Sequence, residues 1–153
     1  MIKPDEILSW PLDLAVPLES AYHLWRNGDL GAAESQLDEA LERAMASGHT
    51  SCQLAARHLL GNLAYDQGDL AAACQIHADV LGRCRAIGFS VGEASSLHNL
   101  GLASALQGDL RAAHTSIGEA IRIYEQLGQV ECVAAARANL VRIGNYTHRG
   151  TFE

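Results

Sequence analysis

A chain of 153 residues, 48% hydrophobic and 19% charged, has room for one domain with a packed core and lies outside the composition of a disordered chain. Its formal charge of −7 opposes a phosphate backbone or an anionic membrane surface as the main partner, so neither nucleic acid nor membrane is expected. No apolar run approaches the ~20 residues of a membrane span. The start Met1-Ile2-Lys3-Pro4-Asp5-Glu6 lacks the basic-then-apolar layout of a signal peptide. The cysteines Cys52, Cys74, Cys84 and Cys132 form no C-x-x-C pair and read as reduced packing residues, so the expected compartment is the cytoplasm.

In chain order, residues 1–14 form an N-terminal extension whose segment Ile7-Leu8-Ser9-Trp10-Pro11-Leu12 is apolar enough to need cover. It is expected to pack on the body of the fold, in its own chain or a neighbour's. From residue 15 to the end the only proline is Pro17, so long helices are permitted. The triplet Gly-Asp-Leu then recurs at Gly28-Asp29-Leu30, Gly68-Asp69-Leu70 and Gly108-Asp109-Leu110, at a constant spacing of 40 residues. The same register carries Ala33, Ala73 and Ala113, and Gly48, Gly88 and Gly128. One structural unit is being reused, and a fixed period of this size signals a stacked array in which no unit buries its apolar face alone.

Glycine falls at the middle and at the end of each unit, with helical periodicity between, so each unit reads as two helices. The expected helices cover 15–27, 30–47, 50–67, 70–87, 90–107, 110–127 and 130–144. They group into repeats near 15–48, 50–88 and 90–128, a capping helix 130–144 and a flexible tail 145–153. Asp29, Asp69 and Asp109 are placed to cap the second helix of each pair. Thr50-x-x-Gln53 and Ser90-x-x-Glu93 have capping-box spacing for the first. Leu30, Ala33, Leu37, Ala40, Leu41 and Ala44 align with Leu70, Ala73, His77, Val80, Leu81 and Cys84, then with Leu110, Ala113, Ile117, Ala120, Ile121 and Tyr124. Steps of three and four make this one face of an amphipathic helix, and the aligned alanines permit close helix approach. The fold class is therefore all-α, an α-solenoid of antiparallel helix pairs.

Leu60-Gly61, Ala64, Gly68, Ala73 and Val80, with Leu100-Gly101, Gly108, Ala113 and Ala120, resemble the tetratricopeptide repeat signature over about residues 15–144. The 40-residue unit is similar to the longer repeats of bacterial regulators. Leu24, Ala64 and Ser104 stand where that signature has tyrosine, Ala21 stands where it has glycine, and no proline closes any unit. The resemblance implies a right-handed superhelix whose inner, concave surface is lined by the first helix of each pair and binds a protein or peptide. The positions that the resemblance puts there are Leu18, Tyr22, Trp25 and Arg26; His58, Asn62, Tyr65 and Asp66; Ser95, His98, Asn99, Leu102 and Leu106; and Ala138, Asn139 and Arg142. His58, Asn62 and Asn99 partly match the clamp with which some relatives hold a peptide carboxylate. Histidines replace its lysines, however, and Asn139 and Ala135 replace its third-repeat cations, so charge-assisted recognition would be weak.

His58 and His98 lie one period apart and offer a pH-dependent groove, against which stands the plainer reading of solvated histidines. Cys74 and His77 share a helix face at metal-ligand spacing, but His77 occupies the core position of Leu37 and Ile117, and a buried histidine is the favoured reading. Trp25 can anchor an interface or close an exposed solenoid end. No P-loop, G-x-S-x-G, H-E-x-x-H or dinucleotide fingerprint occurs, so neither catalysis, cofactor nor metal is expected. The expected function is a non-catalytic interaction module or adaptor. The alternatives are a sensor subunit of a bacterial signalling or transcription system, or a structural homo-oligomer. A homodimer would form through the N-terminal segment or through the last helix, whose Val133, Leu140, Val141 and Ile143 lack an obvious polar outer face.

Overall fold

A computed structural model describes residues 11–149. Residues 1–10 and 150–153, to which most of the apolar N-terminal segment and the end of the expected tail belong, lie outside the described residues. Among the described residues seven α-helices follow one another: α1 (Leu12–Arg26), α2 (Leu30–Ala46), α3 (Thr50–Asp66), α4 (Leu70–Ile87), α5 (Ser90–Leu106), α6 (Leu110–Gln126) and α7 (Val130–Arg149). No strand occurs among the described residues. The chain divides into two compact units, the first running to Asp69 with α1–α3 and the second beginning at Leu70 with α4–α7. In the first, α2 packs on α1 and α3, and α1 also touches α3; in the second, α5 packs on α4, α6 and α7, and α6 on α7. The chain is all-α, and within each unit consecutive helices pack on one another, as expected for the α-solenoid class.

Glycine sets the helix ends. Gly28, Gly48, Gly68, Gly88, Gly108 and Gly128 all have positive φ, between 67° and 89°, a left-handed conformation that costs a residue with a Cβ ~1–2 kcal/mol. At the first of these turns Gly28 N–H donates to Trp25 C=O at 2.9 Å and Asp29 N–H donates to Leu24 C=O at 3.0 Å. This pair of bonds is a Schellman cap. The same two bonds recur at each of the other five glycines. The residue after each glycine leads directly into the next helix, so connections are two or three residues long. Asp29 and Asp109 do this as full N-caps, their carboxylates accepting from Ala32 N–H at 3.2 Å and Ala112 N–H at 2.9 Å.

The expected capping boxes do not form. The Schellman turn puts His49 and Phe89 at the cap, without a side-chain cap bond, and makes Thr50 and Ser90 the first helical residues. Gln53 instead donates across the turn to Ala44 C=O at 3.0 Å, and Glu93 pairs with Arg85 at 2.8 Å. Helix α1 begins three residues before the expected 15, with Pro11 as its cap and Pro17 inside it. Pro17 has no N–H for the Asp13 carbonyl, which would cost the helix a bond. Arg43 of α2 donates to that carbonyl at 3.2 Å, which satisfies it. Helix α7 runs to Arg149, past the expected end at 144.

The register read from the repeats places the cores. In the first unit Leu18, Ala21, Ala33, Leu37, Ala40, Ala55, Ala56 and Leu63 are buried together, with Leu24, Trp25, Leu59 and Leu60 against them. In the second, one cluster joins Leu81, Ala94, Leu97, Ala120, Ile123 and Tyr124 with Cys132 and Val133, and another joins Ala113, Ile117, Ala136 and Ile143 with Leu140. His77 is 1% exposed, in the same core register as Leu37 and Ile117. Burial lowers its pKa to about 4, so it is neutral at pH 7. The α5–α6 contact is close at Gly101: a Cβ there would lie 2.6 Å from Ile117 Cγ1 and 3.1 Å from Ala113 O. The four cysteines are free thiols, and burial pushes those of Cys52 and Cys84 up.

Candidate partner-binding faces

In the first unit the expected positions assemble around Trp25. Near the end of α1, Tyr22, Trp25 and Arg26 are spaced so that their side chains meet. The Tyr22 and Trp25 rings are edge-to-face at 6.0 Å, and the Arg26 guanidinium sits 5.9 Å from the centre of the Tyr22 ring, with a 3.4 Å bond to its hydroxyl. Trp25 is half-buried against the core and turns its Nε1 to α3, donating to Asp66 at 2.6 Å. Its indole therefore has an apolar inner side and a satisfied polar edge. Tyr22 and Arg26 remain exposed. On α3, His58, Asn62 and Tyr65 are half-buried. Leu18, expected on this surface, is instead 1% exposed, because it points into the α1–α3 core.

In the second unit the equivalent helices are α5 and α7, and they too are joined by a polar bond. Asn139 Nδ2 lies 3.0 Å from His98 Nε2. An amide NH₂ only donates, so Nε2 accepts and the ring proton sits on Nδ1. The imidazole stands edge-on to Tyr124 of α6 at 6.5 Å, and Ser95 bonds the Tyr124 side chain. Burial lowers the pKa of His98 and raises that of Tyr124 to about 12, which keeps both neutral around pH 7. His98 is thus a half-buried, bonded group rather than a solvated one. Asn99 and Leu102 are half-buried beside it, and Leu106 and Arg142 are exposed. Asn139, where a carboxylate clamp would carry a cation, is already engaged by His98.

Both cross-helix bonds join residues 41 apart, one period plus one. Asp66 and Asn139 are legible in the sequence as positions of the same surface, but their bonds to Trp25 and His98 come from the packing. Tyr124 is legible there only as a core residue, and its role beside His98 depends on the packing of α6.

A tetratricopeptide repeat family model matches residues 52–126. This stretch belongs to the tetratricopeptide repeat family. Neither the curated proteins nor the solved structures give a significant match. Tetratricopeptide repeats are modules of protein–protein interaction, and the tetratricopeptide register accounts for the buried Gly101 at which α5 and α6 approach. No helix among the described residues is long and apolar enough to cross a membrane.

Proposed function

We propose that the chain is a non-catalytic binding module that takes a peptide or protein segment on its first-helix faces, α1 with α3 in the first unit and α5 with α7 in the second. The observation that carries the reading is the Tyr22–Trp25–Arg26 cluster. Tryptophan, tyrosine and arginine are the residue types that dominate binding hot spots. Here the indole is held in place by Asp66 and the guanidinium by Tyr22, so little side-chain freedom remains to be lost when a partner docks. Arg26 has no carboxylate partner among the described residues, whereas Arg43, Arg83, Arg85, Arg122 and Arg137 are all paired with acids. His98, Asn99, Leu102 and Arg142 supply the corresponding face of the second unit.

A displayed peptide library selected on the full chain tests this. Selected peptides should bind Tyr22→Ala and Arg26→Ala at least about tenfold more weakly than wild type, as the loss of one hot-spot contact implies. Both side chains are exposed, so helicity and melting temperature should stay at wild-type values. Peptides that bind these variants and wild type equally would remove the α1–α3 face from the reading.

A further inference from the structure

The two ends of the second unit differ in a way that the repeat register does not require. At one end the α5–α6 turn is Gln107-Gly108-Asp109, with Leu106, 60% exposed, as the large exposed apolar side chain beside it. At the other, the α4–α5 and α6–α7 turns carry large apolar side chains. Ile87 is 57% exposed, Phe89 46%, Val91 38%, Leu127 39% and Val130 77%. Leu81, Ala94, Ile123, Cys132 and Val133 share one core cluster directly beneath, which puts both turns over the same end of the unit. Phe89 packs one edge of its ring on Gly92, where a Cβ would come within 2.5 Å of its Cδ1 and 2.7 Å of its Cε1, while the residue stays 46% exposed. In the first unit the corresponding turn reads Ser47-Gly48-His49-Thr50-Ser51.

We infer that this end of the second unit is a self-complementary surface that receives the same end of a second copy of the chain. Two observations select a second copy over another occupant. The first is area. At these exposures the five side chains offer roughly 400 Å², about half of the ~800 Å² per partner of a standard interface. In interfaces of this size the remainder is a polar rim around the apolar centre.

The second is charge. A chain of net −7 repels its own copies unless the contact is locally neutral. Around this end Arg85 bonds both Glu93 and Glu119, at 2.8 and 2.9 Å, Arg122 approaches Glu119 at 3.8 Å, and Arg137 pairs with Glu125. Only Glu131 is left there without a cation among the described residues. A twofold contact sets this patch against its own copy, and internally paired charges flanking an apolar centre tolerate that arrangement. The outer face of α7 fits a copy less well. Of its four expected apolar residues, Val133, Leu140 and Ile143 turn inward, and Val141 alone stays exposed.

Sedimentation velocity on the full chain over a concentration series, with three single variants, tests the inference. Val130→Glu places an acid in the first turn of α7 and Ile87→Lys a base in the last turn of α4, where the helix dipoles favour them, so neither should impair folding. Val16→Glu alters an equally exposed side chain in the first unit. The expected result is a wild-type dimer, retained by Val16→Glu and weakened at least about a hundredfold by each of the other two, as a charge set into an apolar contact centre implies. A wild type that stays monomeric throughout the series overturns the inference. So does a dimer that survives both second-unit variants, or one that Val16→Glu weakens as much.

Discussion

Gly101 and Gly82 make a matched pair on which the packing argument can fail. Both are helix-interior glycines of the second unit, and alanine is the better helix former at such a position by ~0.5–1 kcal/mol. At Gly82, exposed on α4, a Cβ meets nothing within 4 Å, so Gly82→Ala should stabilise by about that amount. At Gly101 the same methyl lands 2.6 Å from Ile117 Cγ1, 3.2 Å from its Cδ1 and 3.1 Å from the main-chain oxygen of Ala113. Ile117 is fully buried and cannot swing into solvent, and the oxygen can retreat only if α6 moves. Overpacking of this kind costs ~1–3 kcal/mol, which set against the propensity gain leaves Gly101→Ala about 0–2.5 kcal/mol less stable than wild type. Urea denaturation with an unchanged m-value would report it as opposite shifts of the midpoint for the two variants. In the double variant Gly101→Ala/Ile117→Ala the loss should be smaller than the sum of the singles, since removing Cγ1 and Cδ1 makes room for the methyl. A Gly101→Ala protein as stable as Gly82→Ala would refute the claim that α5 and α6 are in close contact there.

Gly108→Ala puts a methyl into open space on a residue with φ of 89°, so its cost is purely conformational, ~1–2 kcal/mol, and no second-site truncation should rescue it. His77 supplies a pH signature. Its folded pKa of about 4 lies below the 6.5 of the free side chain, so between these values the unfolded chain binds the proton and the folded one does not. Stability from this residue is complete above pH 6.5 and is lost as pH falls toward 4, by about 3 kcal/mol at that point. Acid titration of chemical stability should therefore show His77→Leu, with the residue type of Leu37, losing that much less than wild type over the same range; parallel curves would show that the histidine is not desolvated.

Much of the architecture is legible in the sequence because glycine is nearly irreplaceable at a left-handed cap, so six glycines at regular spacing mark six helix ends. The buried stripe is legible for a similar reason: Ala33, Ala73 and Ala113 recur because helices approach there, and each is fully buried. The start of α1 is obscured by Pro11 and Pro17, since the donor that makes an interior proline tolerable comes from Arg43, 30 residues from the Asp13 carbonyl it serves. The capping-box spacing at Thr50 and Ser90 misleads because local spacing does not reveal that a Schellman turn has already supplied the cap. At the candidate faces, Tyr22, Trp25, Arg26, His98 and Arg142 are legible as types at the right register. Which of them are tied down, and by what, depends on neighbours one period away.

The brevity of the turns has a kinetic meaning. With two or three residues between helices, and with sizeable contacts only between helices adjacent or next-but-one along the chain, almost no loop-closure entropy stands between each unit and its native contacts. Such topologies fold in microseconds to milliseconds, and they zip rather than collapse. They also open locally: among the described residues α7 packs mainly on α6 and only lightly on α5, so it can release its packing without unfolding α4. Amide exchange in α7 should accordingly be governed by local opening, and in α5, gripped by α4, α6 and α7 together, by unfolding of the unit as a whole.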